Sequence, residues 1–117
     1  MYNIKTTTLF NRSLKKLSKK YPNISNDFKT LLEQLKQGDF QGDKLQGFSG
    51  EVYKVRVASA DQNKGKQGGF RTVYYVVAKD KEVFLMEVYA KAYQEDLTND
   101  QKQAIKNLIE LIRSSLL

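Results

Sequence analysis

Three segments rich in β-branched and aromatic residues follow one another at Val52–Ala58, Phe70–Ala78 and Val83–Ala90, with amphipathic helical patterns on both flanks. That layout leaves few architectures open. Short strands in succession pair antiparallel, and the apolar face of their sheet needs helices to cover it. Lys79-Asp80-Lys81-Glu82 has the polarity and length of a hairpin turn between the last two segments. The middle segment, Phe70-Arg71-Thr72-Val73-Tyr74-Tyr75-Val76-Val77-Ala78, is apolar on both faces and belongs at the centre of the sheet. In the last segment Phe84, Met86 and Val88 alternate with Leu85, Glu87 and Tyr89, so one face turns polar towards its end.

The flanks supply the helices. Tyr2 to Phe10 reads as a first strand, its threonines Thr6, Thr7 and Thr8 favouring extended backbone. From Phe10 the period changes, with Phe10, Leu14 and Leu17 on one stripe and Arg12, Lys15, Lys16, Lys19 and Lys20 outside it. Pro22 ends that helix, and Asn23 or Ser25 can cap the next, whose stripe is Phe28, Leu31, Leu32 and Leu35, closed by Gly38. Asp39 to Gly50 is glycine-rich and reads as a loop. Thr98 and Gln101 have capping-box spacing ahead of Ile105, Leu108, Ile109 and Ile112. The order β-α-α-β-β-β-α predicts a single α+β domain over 1–117, with a twisted, mainly antiparallel four-stranded sheet and helices packed on one side.

Chemistry concentrates in the β-rich block. Lys54 and Arg56 are two apart and project from one face, while Tyr53, Val55 and Val57 project from the other, which makes theirs the core side. Neighbouring like charges cost a sheet stability, so an anion is expected opposite them, and a formal charge of +7 favours a polyanion such as nucleic acid. The chain has no Cys and no His, which excludes disulfides, thiolate metal sites and the usual general base near neutral pH. No metal and no cofactor is expected, and any catalysis must come from Lys, Arg, Tyr or carboxylates. No apolar run reaches the ~20 residues of a membrane span, and the N-terminal residues lack a signal-peptide pattern, so a soluble cytoplasmic protein is expected.

The phrase Tyr53-Lys54-Val55-Arg56-Val57, the run Lys64-Gly65-Lys66-Gln67-Gly68-Gly69-Phe70-Arg71-Thr72-Val73-Tyr74-Tyr75 and the ending Val88-Tyr89-Ala90-Lys91 resemble the RelE/ParE toxin superfamily. Its HigB-like branch is the most similar, and the resemblance covers nearly the whole chain. It implies the toxin of a type II toxin-antitoxin system, an mRNA interferase that cuts mRNA in the ribosomal A site and is held inactive by a cognate antitoxin. Cleavage in the family runs by attack of the ribose 2′-hydroxyl on the adjacent phosphate. One proton must leave, the phosphorane charge must be met by cations, and the 5′-oxygen must be protonated.

By that resemblance Lys54 is a candidate base or phosphate clamp, Arg56 a phosphate ligand, and Arg71 the arginine that meets the pentacoordinate charge. Two positions depart from RelE proper, where Ala92 replaces an arginine and Thr98 a catalytic tyrosine. Lys91, Tyr89 and Tyr93 are the nearest replacements, with Lys91 and Tyr93 the candidates for the late proton transfer. Lys64 and Lys66, as loop cations, and Tyr89, by stacking, are candidate RNA contacts. Arg71 also has a structural alternative, a salt bridge to Glu87. Two other functions remain open: a non-catalytic DNA gyrase inhibitor of the ParE kind, and a decayed toxin that only binds protein or RNA.

Overall fold

The computed structural model describes residues 1–62 and 68–115. The elements run β1 (Asn3–Thr6), α1 (Thr8–Lys20), α2 (Ile24–Asp27), α3 (Lys29–Lys36), β2 (Asp43–Lys44), β3 (Glu51–Val57), β4 (Phe70–Val77), β5 (Glu82–Ala90) and α4 (Asn99–Ser115). They form a five-stranded sheet in the order β1-β5-β4-β3-β2. The α+β class and the mainly antiparallel pairing are as expected; β1 alone runs parallel, against β5. The extra strand is β2, which pairs Asp43 with Lys54 and Lys44 with Tyr53 inside the segment read as a loop. A two-residue strand leaves too short a pattern to read.

Local chemistry explains the helix ends. Thr7 caps α1, its hydroxyl accepting the Phe10 N–H at 3.1 Å, so helix begins at Thr8 and not at Phe10. The expected second helix is broken at Phe28 into α2 and α3. Gly38, at φ +78, ends α3 in the left-handed region. At α4 the capping box is complete: Gln101 N–H donates to the Thr98 hydroxyl at 3.1 Å, and Thr98 N–H donates to the Gln101 side chain at 2.9 Å.

Two apolar clusters sandwich the sheet. Helices α1 to α3 bury Phe10, Ile24, Phe28, Leu31 and Leu35 against Val57, Phe70, Tyr74, Val83, Leu85 and Val88, with Tyr53 and Val55 packed at the edge. This is the helical layer expected on one side. Helix α4 is the departure: Ile105 and Ile109 pack with Val52, Val73, Tyr75 and Met86, side chains of the opposite parity on β3, β4 and β5. The expected central strand, β4, is buried along nearly its whole length. Tyr74 and Tyr75 are core residues, one in each cluster.

A register shift between Val73 and Tyr74 changes the reading of β5. Val73 pairs with Glu87 while Tyr74 pairs with Leu85, so Met86 is an extra residue in β5. Phe84 and Met86 face the α4 side, but Val88 crosses to the other face and joins the α1–α3 cluster, contrary to the simple alternation. The bulge is held by the Thr72 hydroxyl, which donates to the Glu87 carbonyl at 2.8 Å.

Glu87 itself is only 1% exposed. It accepts the Val88 N–H at 2.9 Å, with Ser13 of α1 and Gln101 of α4 as further partners and Arg12 as its charged neighbour. Desolvation outweighs these and raises its pKa above 4.5. A raised acid pKa means that the folded state holds the proton more tightly than the unfolded one. The contribution of Glu87 is therefore most favourable below 4.5 and is lost as pH rises through the folded value. Urea midpoints of wild type and Glu87→Gln should diverge accordingly, wild type losing ground as pH rises above 4.5. Parallel pH profiles would remove Glu87 as the source.

Candidate functional site

The α4 side of the sheet gathers the cations beyond the end of that helix. Lys54 and Arg56 leave β3 opposite Tyr53, Val55 and Val57, as strand alternation requires. Arg71 stands directly across from Arg56 in the β3–β4 register, and Tyr89 directly across from Arg71 in the β4–β5 register. Lys91 lies one pleat beyond Tyr89. These five side chains line one open groove together with Glu95 and Asp96 of the loop leading to α4.

Two glycines let the walls approach. A Cβ on Gly42 would sit 2.3 Å from the Lys54 carbonyl oxygen, and one on Gly69 would sit 2.2 Å from that of Val57. Both have positive φ, at +91 and +57. A side chain at either would push its segment off β3.

The electrostatics are those of an anion site. Like charges directly opposite on neighbouring strands cost stability, yet Arg56 and Arg71 are so placed. Arg71 is buried, and its guanidinium donates to the Gly68 carbonyl at 2.7 Å and the Phe70 carbonyl at 3.3 Å. Burial first, then the Arg56 charge, lowers its pKa, while Tyr89 and Glu95 act in the opposite sense. It stays a cation. Glu87, its expected structural partner, spends its carboxylate on Val88, Gln101 and Ser13.

Lys54 Nζ donates to Asp96 Oδ1 at 3.1 Å and Lys91 Nζ donates to Glu95 Oε1 at 2.7 Å. The Leu97 N–H and then Lys54 hold the Asp96 carboxyl below its ordinary pKa, and the Lys91 hydrogen bond does the same for Glu95. Burial, with Asp96 adding to it and Arg71 opposing, pushes the Tyr89 phenol up to about 12, so it stays protonated at neutral pH.

Of the residues singled out from sequence, Lys54, Arg56, Arg71, Lys91 and Tyr89 come together. Tyr93 does not line the groove. It is 63% exposed, with Lys20 Nζ 4.4 Å from its ring centroid. Tyr89 is 4% exposed, so its ring offers no free face for stacking on a base. Lys64 and Lys66 lie outside the described residues. Asp96 went unread in the sequence, because a lone Asp before a capping box looks like helix punctuation. Among the described residues no cluster of His, Cys, Asp and Glu is placed to hold a metal ion, and no helix is long and apolar enough to cross a membrane.

The family model for the RelE toxin of the RelE/RelB toxin-antitoxin system matches residues 6–115. The chain belongs to the RelE toxin family. The superfamily resemblance seen in the sequence is thus borne out, and the chain is a toxin of a type II toxin-antitoxin system. The isolated E. coli RelE toxin superposes with a TM-score of 0.54, covering 92% of this chain and 99% of that one at 22% identity, a likeness of fold alone. The intact E. coli RelBE toxin-antitoxin complex matches with a TM-score of 0.51 at 25% identity, over 75% of this chain and 94% of that one.

Proposed function

We propose that this RelE-family toxin is an mRNA endonuclease acting in the A site of the ribosome, silenced by a cognate antitoxin protein, in the cytoplasm. The observation that carries the reading is the opposed Arg56–Arg71 pair, flanked by Lys54 and Lys91 in one groove. Three cations on one sheet face, with Lys91 just past the end of β5, suit a transition state whose charge spreads over the non-bridging phosphate oxygens. Arg71, whose guanidinium is held by the Gly68 and Phe70 carbonyls, is the most preorganised of them and brings its planar, permanently charged fork to the phosphorane. Arg56 and Lys54 clamp the phosphate. The 2′-hydroxyl attacks and passes its proton to water, and as the new P–O2′ bond forms the P–O5′ bond breaks, with Lys91 the candidate donor to the departing 5′-oxygen. No step in this scheme draws on a metal or a cofactor.

Primer extension on a reporter mRNA after brief induction tests the reading. Cuts confined to translated frames are the expected result. Intact mRNA with arrested DNA replication would instead favour the ParE-like gyrase inhibitor, and intact mRNA with normal growth a decayed toxin.

A further inference from the structure

The loop between β5 and α4 carries two carboxylates that the cleavage chemistry leaves unused. Asp96 Oδ1 accepts from Lys54 Nζ at 3.1 Å and from the Leu97 N–H at 2.8 Å. Glu95 takes the Lys91 ammonium twice, through Oε1 at 2.7 Å and through its carbonyl at 3.2 Å. Both lysines of the groove therefore already hold an anion supplied by the chain.

The loop is tied down at both ends. Lys91 N–H donates to the Gly69 carbonyl at 3.0 Å. Gln94 Nε2 bridges the Asp96 carbonyl at 2.9 Å and the side chain of Gln101, in the capping box of α4, at 2.6 Å. An independent observation lies in the same groove. Among the described residues the buried Tyr89 hydroxyl has no hydrogen-bond partner, and it lies next to the charges of Asp96, Arg71 and Glu95. A buried hydroxyl without a partner is a standing cost that an incoming acceptor relieves.

We propose that Glu95 and Asp96 form a resident anionic plug, holding Lys54 and Lys91 in place of RNA phosphates until phosphate displaces the carboxylates and gives the Tyr89 hydroxyl an acceptor. This rests on the groove being the RNA site. The plug is displaceable, because the Glu95 and Asp96 side chains are 89% and 59% exposed and exposed ion pairs are weak. An RNA strand brings several phosphates at once against single carboxylates. The plug also suppresses casual binding of free RNA, since it neutralises the charges of Lys54 and Lys91.

The test is the double variant Glu95→Gln/Asp96→Asn, which keeps side-chain length and leaves an Asn oxygen for the Leu97 N–H. The control is Asp80→Asn/Glu110→Gln, the same change in net charge at exposed positions on the β4–β5 turn and the outside of α4. With a short fluorescent single-stranded RNA at low salt, the plug variant should bind about tenfold tighter than wild type, and the control within about twofold. Equal tightening in the two variants would overturn the plug and leave only net charge.

If free RNA binds too weakly to read, the side-chain NMR signals of Lys54 and Lys91 are followed during titration with inorganic phosphate. The wild-type midpoint should lie several-fold above that of the plug variant, and equal midpoints would overturn the proposal. The two readings fail separately. A wild type that never cuts mRNA removes the endonuclease but not the plug, whereas a cutting wild type with no gain in the variant removes the plug alone.

Discussion

Cells expressing Arg71→Ala should keep growing, and the purified variant should cleave mRNA more slowly by about a hundredfold or more. Removing one preorganised donor to a transition-state oxyanion typically costs about 3 kcal/mol. Because Arg71 also donates to the Gly68 and Phe70 carbonyls, the variant loses some stability as well, on the order of 1–3 kcal/mol. Arg71→Lys separates the two effects, keeping the charge and losing the planar fork. Its cleavage should fall between wild type and Arg71→Ala while its urea midpoint stays near wild type. A folded Arg71→Ala toxin that arrests growth normally would remove Arg71 from the site.

Lys91→Ala should slow single-turnover cleavage by about tenfold or more, through loss of a charge and a proton donor together. Tyr93→Phe should stay within about twofold, because Tyr93 lies outside the groove with its ring under Lys20. The contrast is diagnostic, since both residues follow β5 and are two apart in sequence. A Lys91→Ala enzyme within about threefold of wild type, roughly 0.65 kcal/mol of barrier, would exclude Lys91 as the acid. A large Tyr93→Phe effect would mean that the loop rearranges on the ribosome.

Much of this was legible because alternation is a local property. Lys54 and Arg56 fall on the face opposite Tyr53, Val55 and Val57 whatever else the chain does, and a strand such as β4, apolar on both faces apart from Arg71 and Thr72, belongs at the centre. The capping box of α4 was legible for the same reason, since Thr98 and Gln101 satisfy each other within one turn.

What stayed hidden depends on partners far apart in the chain. The β5 bulge is set by its register against β4, and it alone decides that Val88 joins the α1–α3 core while Tyr89 stands beside Arg71. Helix α4 covers the second face because Val52, Val73, Tyr75 and Met86 together make a patch that no single strand displays. The pairing of Lys54 with Asp96 spans 42 positions and has no sequence pattern of its own.

The most direct test of the central claim uses purified toxin and ribosomes programmed with a defined mRNA, its A-site codon either all ribose or carrying a 2′-deoxy sugar at the cut position. Attack by the 2′-hydroxyl in a groove of four cations predicts cleavage of the ribose message alone, leaving a 2′,3′-cyclic phosphate and a free 5′-hydroxyl, and loss of that cleavage in Arg71→Ala. Equal cutting of the deoxy message, or an intact ribose message beside an active wild-type toxin, would contradict it.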